Sequence, residues 1–224
     1  MMEPMETIAA TPKRHRLRLA IALALALGGL GIGGYYYKTY AIDSNFAVVI
    51  PGKVYRSGQP QPDQLKGWVD EYHVRTIVNL RGNNMEECKK EASQAAEMKV
   101  VYVPIALSAK RPATKPELAE LIAALDKPQP ILLHCRAGND RSGLASMLAV
   151  LALGQTDYAA ARKQLRTPLW RGANEKHISD TIVMYEQYCA DKKLDPNNWP
   201  QFKTWAADVY NPPVKESQGA QPAE

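Results

Sequence analysis

Residues 131–150 read ILLHCRAGNDRSGLASMLAV, and this stretch decides the fold of the chain. Its first four residues, Ile131–His134, form a short and largely apolar run that is typical of a buried central strand. From Leu144 onwards, apolar residues recur at helical spacing, which predicts a helix that begins near Arg141. A loop with one glycine lies between strand and helix. Loop amides and the first N–H groups of such a helix point at one spot, so the unit predicts an anion-binding site.

Cys135 lies at the base of this loop, directly after the strand. The N–H donors that would bind a phosphate also stabilise a thiolate, which is the nucleophilic form of cysteine. Arg141 stands six positions later, and its planar guanidinium can hold two phosphoryl oxygens at once. The sequence therefore predicts nucleophilic catalysis on a phosphate ester, with Cys135 as the nucleophile and Arg141 as a phosphate ligand.

These residues also carry a resemblance to a known family. The chain resembles the cysteine-based protein tyrosine and dual-specificity phosphatases, whose signature is HCxxGxxR followed by Ser or Thr. Every fixed position of the signature is present, as His134, Cys135, Gly138, Arg141 and Ser142. The resemblance implies that Gly138 lets the loop turn and that Ser142 hydrogen-bonds the sulfur and helps it leave the phosphoenzyme. It further implies that His134 orients the loop and supports the thiolate.

The resemblance covers residues 45–170. VYRSGQPQPDQL at 54–65 and VRTIVNLR at 74–81 are similar to the opening of the small bacterial and fungal dual-specificity-like members. What the resemblance implies is a phosphatase that needs no cofactor and binds the substrate phosphate with its whole loop. That loop comprises Arg136, Ala137, Gly138, Asn139, Asp140 and Arg141.

The general acid departs from the family pattern. Relatives carry it as an Asp on a loop some thirty residues before the cysteine, but the corresponding stretch here, IALSAKRPATKPE at 105–117, has no Asp. Glu117 and Asp126 are the nearest carboxylates, and both are expected to be solvated surface groups. Asp140, inside the loop as in bacterial relatives with a CxxGxDR pattern, is predicted to be the acid. The alternative is that Asp140 only caps the helix or pairs with a base.

The N-terminal segment predicts export. The run at 19–37 is uncharged and just long enough to cross a bilayer core of roughly 30 Å as a helix. A basic arm at 1–18 precedes it, so the positive-inside rule places the N-terminus in the cytoplasm and the catalytic domain across the membrane, in the periplasm of a Gram-negative cell. Thr39-Tyr40-Ala41 is also a passable cleavage site, so a signal peptide is the alternative.

The rest of the chain alternates strands and helices, which predicts an α/β fold with a mostly parallel central sheet flanked by helices. We expect a phosphatase domain over 42–210 and a disordered tail over 211–224. Strands are predicted at 48–55, 76–80, 100–105 and 131–134, and helices at 62–72, 86–98, 115–125, 142–153, 157–166, 176–192 and 199–209.

Charge and cysteine usage exclude some partners. Residues 1–41 hold five of the 28 basic and two of the 23 acidic residues, so the remainder has a net charge of only +2 and no nucleic-acid partner is indicated. The three cysteines show no zinc-type spacing, so no metal site is predicted. Cys88 and Cys189 are expected to be inert thiols, with a mutual disulfide or a redox role for Cys88 as the alternatives.

Three functions remain open at this point. The first is a phosphatase of phosphotyrosine, phosphoserine or phosphothreonine in proteins, and the second is a phosphatase of a phosphorylated lipid or inositol phosphate. The third, a rhodanese-like sulfurtransferase, is disfavoured because rhodanese loops are shorter than the one here. Arg81 is expected either to add positive potential to the site or to form an ion pair at the end of its strand.

Overall fold

A computed structural model describes residues 12–39, 43–154, 157–165 and 177–213. The chain divides into two compact units, Met1–Asp43 and Ser44–Glu224.

The N-terminal unit contains one long helix, α1, at Pro12–Tyr37. Its segment Leu17–Tyr37 has a mean hydropathy of 1.8, and none of its apolar window is buried. A solvent-exposed apolar helix of this length is long enough to cross a membrane, and a signal sequence has the same character. The predicted apolar helix is thus confirmed as a candidate membrane span.

The second unit is built on a five-stranded sheet in the order β1-β2-β5-β3-β4. Parallel pairing joins β2 to β5, β5 to β3 and β3 to β4, while β1 is an antiparallel edge strand. The predicted mostly parallel α/β fold is therefore confirmed. The strands are β1 at Ala47–Ile50, β2 at Val54–Ser57, β3 at Thr76–Asn79, β4 at Val101–Pro104 and β5 at Ile131–His134.

The single strand predicted over 48–55 is wrong, because β1 and β2 form a hairpin there. The chain turns at Pro51-Gly52-Lys53, where Gly52 has φ +69° and the Lys53 N–H donates to the Ile50 carbonyl at 3.0 Å. Proline followed by glycine is a strong turn signal, because proline fixes its own φ and glycine accepts a positive φ. The apolar run therefore forms two strands, one on each side of the Pro-Gly pair.

The helices mostly follow the predicted boundaries, with two differences. Helix α6 ends early because residues 163–165 form a turn of shorter-range hydrogen bonds, and α7 begins late because the Asp180 carboxylate accepts the His177 N–H in a capping turn. The predicted tail lies outside the described residues from 214 onwards. The helices are α2 at Pro62–Tyr72, α3 at Glu86–Glu97, α4 at Lys115–Ala124, α5 at Asp140–Leu153, α6 at Tyr158–Arg162, α7 at Asp180–Lys192 and α8 at Trp199–Thr204, which continues as a π-helical turn at Trp205–Val209.

Two hydrophobic cores lie on the two faces of the sheet. Successive residues of a strand point to opposite faces, so Leu132 packs with α2 and α3 while Ile131 and Leu133 pack with α4, α5, α7 and α8. Helix α5 is buried from Ser142 to Leu151. The loop that precedes it is therefore fixed between the central strand and a buried helix.

Candidate active site

The candidate site lies at the carboxyl ends of the three central strands. Ser57 of β2 and Asn79 of β3 are both in register with His134, the last residue of β5. In parallel sheets, this edge is where loops converge and ligands bind. The loop after β5 therefore has the ends of both neighbouring strands beside it.

Cys135 opens this loop and is only 2% exposed. Its sulfur lies 3.6 Å from the hydroxyl oxygen of Ser142, which is buried in the first turn of α5. The structure thus brings together the predicted nucleophile and the hydroxyl predicted to assist it. That hydroxyl is placed to donate a hydrogen bond to a thiolate.

Donors from elsewhere in the chain hold the loop carbonyls. The Gln59 N–H donates to the carbonyl of Arg136 at 3.1 Å. The Asn45 side-chain amide approaches the carbonyls of Ala137 and Gly138 at 2.8 and 3.2 Å, and the Asn139 side-chain oxygen at 3.0 Å. Because the N–H of a peptide points opposite to its C=O, the amides that follow these carbonyls face away from Asn45 and Gln59.

Gly138 is the residue at which the loop has to turn. Its φ is +73°, and a Cβ added there would lie 2.6 Å from the Gly58 nitrogen and 2.8 Å from the Ser57 carbonyl carbon. Both the backbone conformation and the close approach of the strand β2 backbone therefore require glycine. This geometry agrees with the role expected for Gly138.

Arg141 lies in the first turn of α5, and its guanidinium reaches across to the loop before α4. One terminal nitrogen donates to the Leu107 carbonyl at 3.3 Å. Its Nε is buried and has no partner within the described part of the chain. The guanidinium is thus positioned by the opposite loop and keeps donor capacity for a ligand.

Two arginines near the site, Arg81 and Arg111, are less available to bind a substrate than the sequence suggests. Arg81 is an ion-pair residue: its guanidinium pairs with Glu87 and donates to the Gln59 side-chain oxygen at 2.6 Å, and its side chain is 8% exposed. Arg111 forms a two-point ion pair with Glu117 at 2.7 Å for both contacts. Both guanidinium groups are therefore engaged within the protein.

Glu117 is not the solvated surface group that the sequence suggested. Besides binding Arg111, its carboxylate accepts the Thr114 N–H at 2.7 Å in a capping box at the start of α4. Burial alone would raise the pKa of Glu117, but the hydrogen bonds from Arg111 and Thr114 outweigh burial and lower that pKa. Asp126 is exposed, as expected.

His134 is buried and faces a buried carboxylate that sequence reasoning missed. Its Nε2 lies 2.8 Å from the Glu91 carboxylate, with exposed fractions of 0% and 4% for the two side chains. The other oxygen of Glu91 accepts from the side-chain amides of Gln59 at 3.0 Å and Asn79 at 3.2 Å. Glu91 thus ties α3 to the residue that precedes Cys135. A lone Glu in a polar helix gives no signal of this role.

Asp140, at the start of α5, lies beside a histidine, a pairing with a base of the kind that the sequence left open as its alternative role. Its Oδ1 lies 3.2 Å from Nε2 of His177, just before α7. The backbone beside this histidine also reaches the site, because the Ile178 N–H donates to the Ala109 carbonyl at 3.1 Å.

Cys88, Cys135 and Cys189 are all buried free thiols. Cys88 and Cys189 therefore do not form the alternative disulfide. Among the residues that the structure describes, no group of three or more His, Cys, Asp or Glu side chains could hold a metal ion.

Comparison with known proteins gives both a family and fold relatives. A family model described as the tyrosine phosphatase family matches residues 31–192. The DUF442 phosphatase of Shewanella putrefaciens CN-32 is 17% identical with a TM-score of 0.50, over 69% of this chain and 97% of that chain. PTPMT1 in complex with PI(5)P is 12% identical with a TM-score of 0.50, over 66% and 98%. P. aeruginosa TpbA in complex with phosphotyrosine is 17% identical with a TM-score of 0.47, over 74% and 92%.

Proposed function

Because the chain belongs to the tyrosine phosphatase family and is a cysteine-dependent phosphatase, we propose that it hydrolyses phosphate monoesters through a phosphocysteine intermediate on Cys135. One observation carries the proposal. The buried Cys135 sulfur lies beside the Ser142 hydroxyl, at the base of a loop whose carbonyls are turned towards Asn45 and Gln59. The opposite side of this loop presents N–H groups, which suit a phosphate dianion.

In the first step, the Cys135 thiolate attacks phosphorus, so that a sulfur–phosphorus bond forms while the bond to the leaving oxygen breaks. The loop amides and the Arg141 guanidinium stabilise the charge on the three remaining phosphoryl oxygens. Asp140 gives its proton to the leaving oxygen, which departs as an alcohol or phenol. The phosphate-binding set is Arg136, Ala137, Gly138, Asn139, Asp140 and Arg141.

In the second step, a water molecule attacks the phosphocysteine. The Asp140 carboxylate takes a proton from this water, and the sulfur–phosphorus bond breaks with its electron pair returning to sulfur. The Ser142 hydroxyl stabilises the departing thiolate, while His134 holds the start of the loop through Glu91. Inorganic phosphate is the product, and the enzyme returns to its starting state.

Asp140 is proposed as the acid because the alternatives are occupied or remote. The loop at 105–117 has no Asp, and its one carboxylate, Glu117, is committed to Arg111 and to the helix cap. Asp140 lies next to the phosphate-binding Arg141 in the first turn of α5. A carboxyl group there is adjacent to the phosphoryl group that the loop would hold.

The substrate is proposed to be a phosphorylated protein, with phosphotyrosine and phosphoserine or phosphothreonine both accepted. A phosphorylated lipid or inositol phosphate is the second candidate. The observation that favours a lipid is α1, since an exposed apolar helix of this length would hold the site near a bilayer. Sulfur transfer is not proposed, because the family match is with phosphatases.

The placement in the cell is also a proposal. The basic arm at 1–18 would stay in the cytoplasm, α1 would anchor the chain over 19–37, and the phosphatase domain at 42–210 would lie outside the cytoplasm, ahead of the tail at 211–224. This assignment rests on the charge of the arm and the exposure of the apolar helix. Cleavage after Ala41 would give the same compartment without a tether.

The nucleophile is tested with Cys135→Ser in the full chain in detergent. Turnover should fall by more than about a thousandfold, because a serine hydroxyl lacks the activated thiolate, while phosphate binding survives in the intact loop. Acid quenching should trap phosphoenzyme in the parent and none in the variant. Cys189→Ser, at a buried free thiol in α7, is the matched control and should stay active. Residual Cys135→Ser turnover within roughly tenfold of the parent would show that the nucleophile is misassigned.

The substrate class is tested with a panel of phosphotyrosine peptide, phosphoserine peptide, phosphoinositide vesicles and soluble inositol phosphates. The proposal expects the highest kcat/KM on the peptides. A preference of tenfold or more for phosphoinositide vesicles would favour the lipid candidate. A preference for soluble inositol phosphates would show that the enzyme recognises the phosphorylated headgroup without the membrane.

A further inference from the structure

His177 and Asp140 meet at the edge of the phosphate-binding loop, although 37 positions separate them. His177 Nε2 lies 3.2 Å from Asp140 Oδ1, and the two side chains are 11% and 28% exposed. Both atoms are buried, and within the described part of the chain neither forms a hydrogen bond, so the 3.2 Å contact between them is an ion-pair distance. Two buried polar atoms this close, each without a hydrogen-bond partner, are expected to satisfy each other.

The hydrogen bonds at Nδ1, the other ring nitrogen of His177, determine which of the two nitrogens carries the ring hydrogen. The Ser179 N–H donates to Nδ1 at 3.2 Å, and the Ser179 hydroxyl lies 2.8 Å from the same nitrogen. A backbone N–H can only donate, so Nδ1 has to accept. In the neutral ring the hydrogen is then on Nε2, which faces Asp140.

The ring is held in place by the capping turn before α7. The His177 N–H donates to the Asp180 carboxylate at 2.8 Å, and the His177 carbonyl accepts the Asp180 N–H at 3.0 Å. The Ile178 N–H bonds to Ala109, in the loop before α4. The backbone on each side of the imidazole is thus held by hydrogen bonds, and this keeps the ring beside Asp140.

We propose that His177 is a positioning residue for the general acid: its Nε2–H engages Oδ1 of Asp140 and leaves the catalytic proton on Oδ2. This inference rests on the proposed role of Asp140 as acid. An oxygen that already accepts a hydrogen bond is the poorer place for the proton, so the free oxygen carries it. Only Oδ1 is buried, whereas the side chain as a whole is 28% exposed, so Oδ2 is the oxygen available to a substrate.

The same contact assists both chemical steps. When Asp140 protonates the leaving oxygen, the carboxylate that remains keeps the hydrogen bond from Nε2–H, and this bond stabilises the new charge. When water attacks the phosphocysteine, its proton goes to Oδ2 and the ring hydrogen stays on Nε2. His177 neither gains nor loses a proton over the cycle, and it does not touch the reacting atoms.

The test compares His177→Phe, His177→Gln, Asp140→Asn and the double variant His177→Phe with Asp140→Asn, each as the full chain in detergent. Phenyl phosphate has a basic leaving group that needs protonation, and 2,4-dinitrophenyl phosphate has an acidic one that does not. His177→Phe should lower kcat/KM on phenyl phosphate by about ten- to hundredfold, a part of the roughly 10² to 10⁴ that an acid contributes. The kcat/KM on the dinitrophenyl ester should change less than about threefold, because this parameter reports only the steps up to release of the phenol and not the later hydrolysis of the phosphocysteine.

Two further results identify the route of the effect. His177→Gln should restore most of the phenyl phosphate rate, because its side-chain N–H can reach Oδ1. In the Asp140→Asn background, His177→Phe should cause no further loss, since a residue that acts through Asp140 has nothing left to position. Vanadate affinity and the unfolding temperature of each variant report whether the loop and the fold survive.

The outcomes separate this inference from the proposed acid. Equal losses of kcat/KM on both substrates in Asp140→Asn would overturn the acid role of Asp140, and the positioning role with it. If Asp140→Asn shows the leaving-group effect but His177→Phe does not, only the His177 inference fails. A leaving-group effect in His177→Phe that adds to that of Asp140→Asn would make His177 an acid in its own right, which also contradicts the proposal.

Discussion

At the scale of single residues, the loop that we propose to bind phosphate is held by the neutral side-chain amide of Asn45. Asn45 is 5% exposed and its side-chain nitrogen lies within 3.2 Å of three loop oxygens. A neutral donor suits this place, because it fixes the carbonyls without placing a competing charge near a bound phosphate. The loop is thereby shaped before the substrate arrives, which is what electrostatic stabilisation of a transition state requires.

Asn45→Ala should therefore weaken both the fold and phosphate binding. The buried Gly138 carbonyl and the part-buried Ala137 carbonyl would lose this donor, which should lower the free energy of unfolding by roughly 1 to 3 kcal/mol. Vanadate affinity should fall by about tenfold or more because the amides lose their alignment. Urea unfolding followed by tryptophan fluorescence reports the stability. All four tryptophans lie beyond residue 67, so their signal comes from the second unit.

The control for this change is Asn84→Ala, at an exposed asparagine after β3. It should alter neither stability nor vanadate affinity measurably. An Asn45→Ala protein that unfolds like the parent and binds vanadate equally well would contradict the clamp role assigned to Asn45.

At this scale, what the sequence could predict depends on distance along the chain. Cys135, Gly138, Arg141 and Ser142 lie within one strand-loop-helix unit, so spacing placed Cys135 and Arg141 together, and the resemblance to the family signature implied the roles of Gly138 and Ser142. Their supporting partners come from other elements: Asn45 from before β1, Glu91 from α3 and His177 from before α7. Such contacts follow from the packing of the whole domain, and no local pattern in one sequence encodes them.

At the scale of elements, the one carboxylate of residues 105–117, Glu117, has a structural role. This role explains why the loop before α4 supplies no general acid. Arg111 and Glu117 close this loop with a two-point ion pair, and Glu117 also completes the cap of α4. The hydrogen bonds with Glu117 raise the pKa of Arg111, while those from Arg111 and Thr114 lower the pKa of Glu117. The carboxylate therefore stabilises the loop in its charged form.

This pair predicts a pH dependence of stability with a definite sign. The pKa of Glu117 in the folded chain lies below its ordinary value of 4.5. Its contribution is therefore fully present above the unfolded pKa and is lost as the pH falls through the folded pKa. Glu117→Gln should be less stable than the parent at pH 7 by roughly 1 kcal/mol, a modest amount because solvent partly screens the pair. The difference should shrink below about pH 4.

Urea unfolding at pH 7 and near pH 3.5 checks this expectation. Asp126→Asn, which removes an exposed carboxylate just after α4, is the matched control and should show little difference from the parent at either pH. A Glu117→Gln deficit that is equal at both pH values would mean that the charge of Glu117 contributes nothing and only its packing matters.

Elements with a clear start or end signal were predictable, and those without one were not. Helix α2 matches its predicted bounds at both ends, and Pro62 at its first position is a start signal. The prediction of one strand over 48–55 was wrong because it gave the apolar run more weight than the turn signal Pro51-Gly52, where the chain forms the hairpin. The late start of α7 depends on the Asp180 cap, whose donor is the backbone of His177. Caps of this kind are visible only once the chain is folded.

At the scale of the whole molecule, the sheet order and the N-terminal helix have separate consequences. The order β1-β2-β5-β3-β4 places β5 between the two strands whose loops support the site, which the sequence alone could not establish. Helix α1 exposes its apolar side chains along Leu17–Tyr37. Such a surface is unfavourable in water, which suits a membrane span or a signal sequence.

Reporter fusions after residue 45 should therefore place the second unit outside the cytoplasm. Alkaline phosphatase, which requires export, should be active there, and β-galactosidase, which requires the cytoplasm, should be inactive. The full chain should stay in the membrane pellet after a carbonate wash. The double variant Leu25→Arg with Leu27→Arg should be released, because each Arg at the centre of a span costs about 2.5 to 3.5 kcal/mol of insertion free energy. Active β-galactosidase would overturn the proposed orientation. A shortened chain released into the soluble fraction would show that the chain is cleaved after Ala41 and is not anchored.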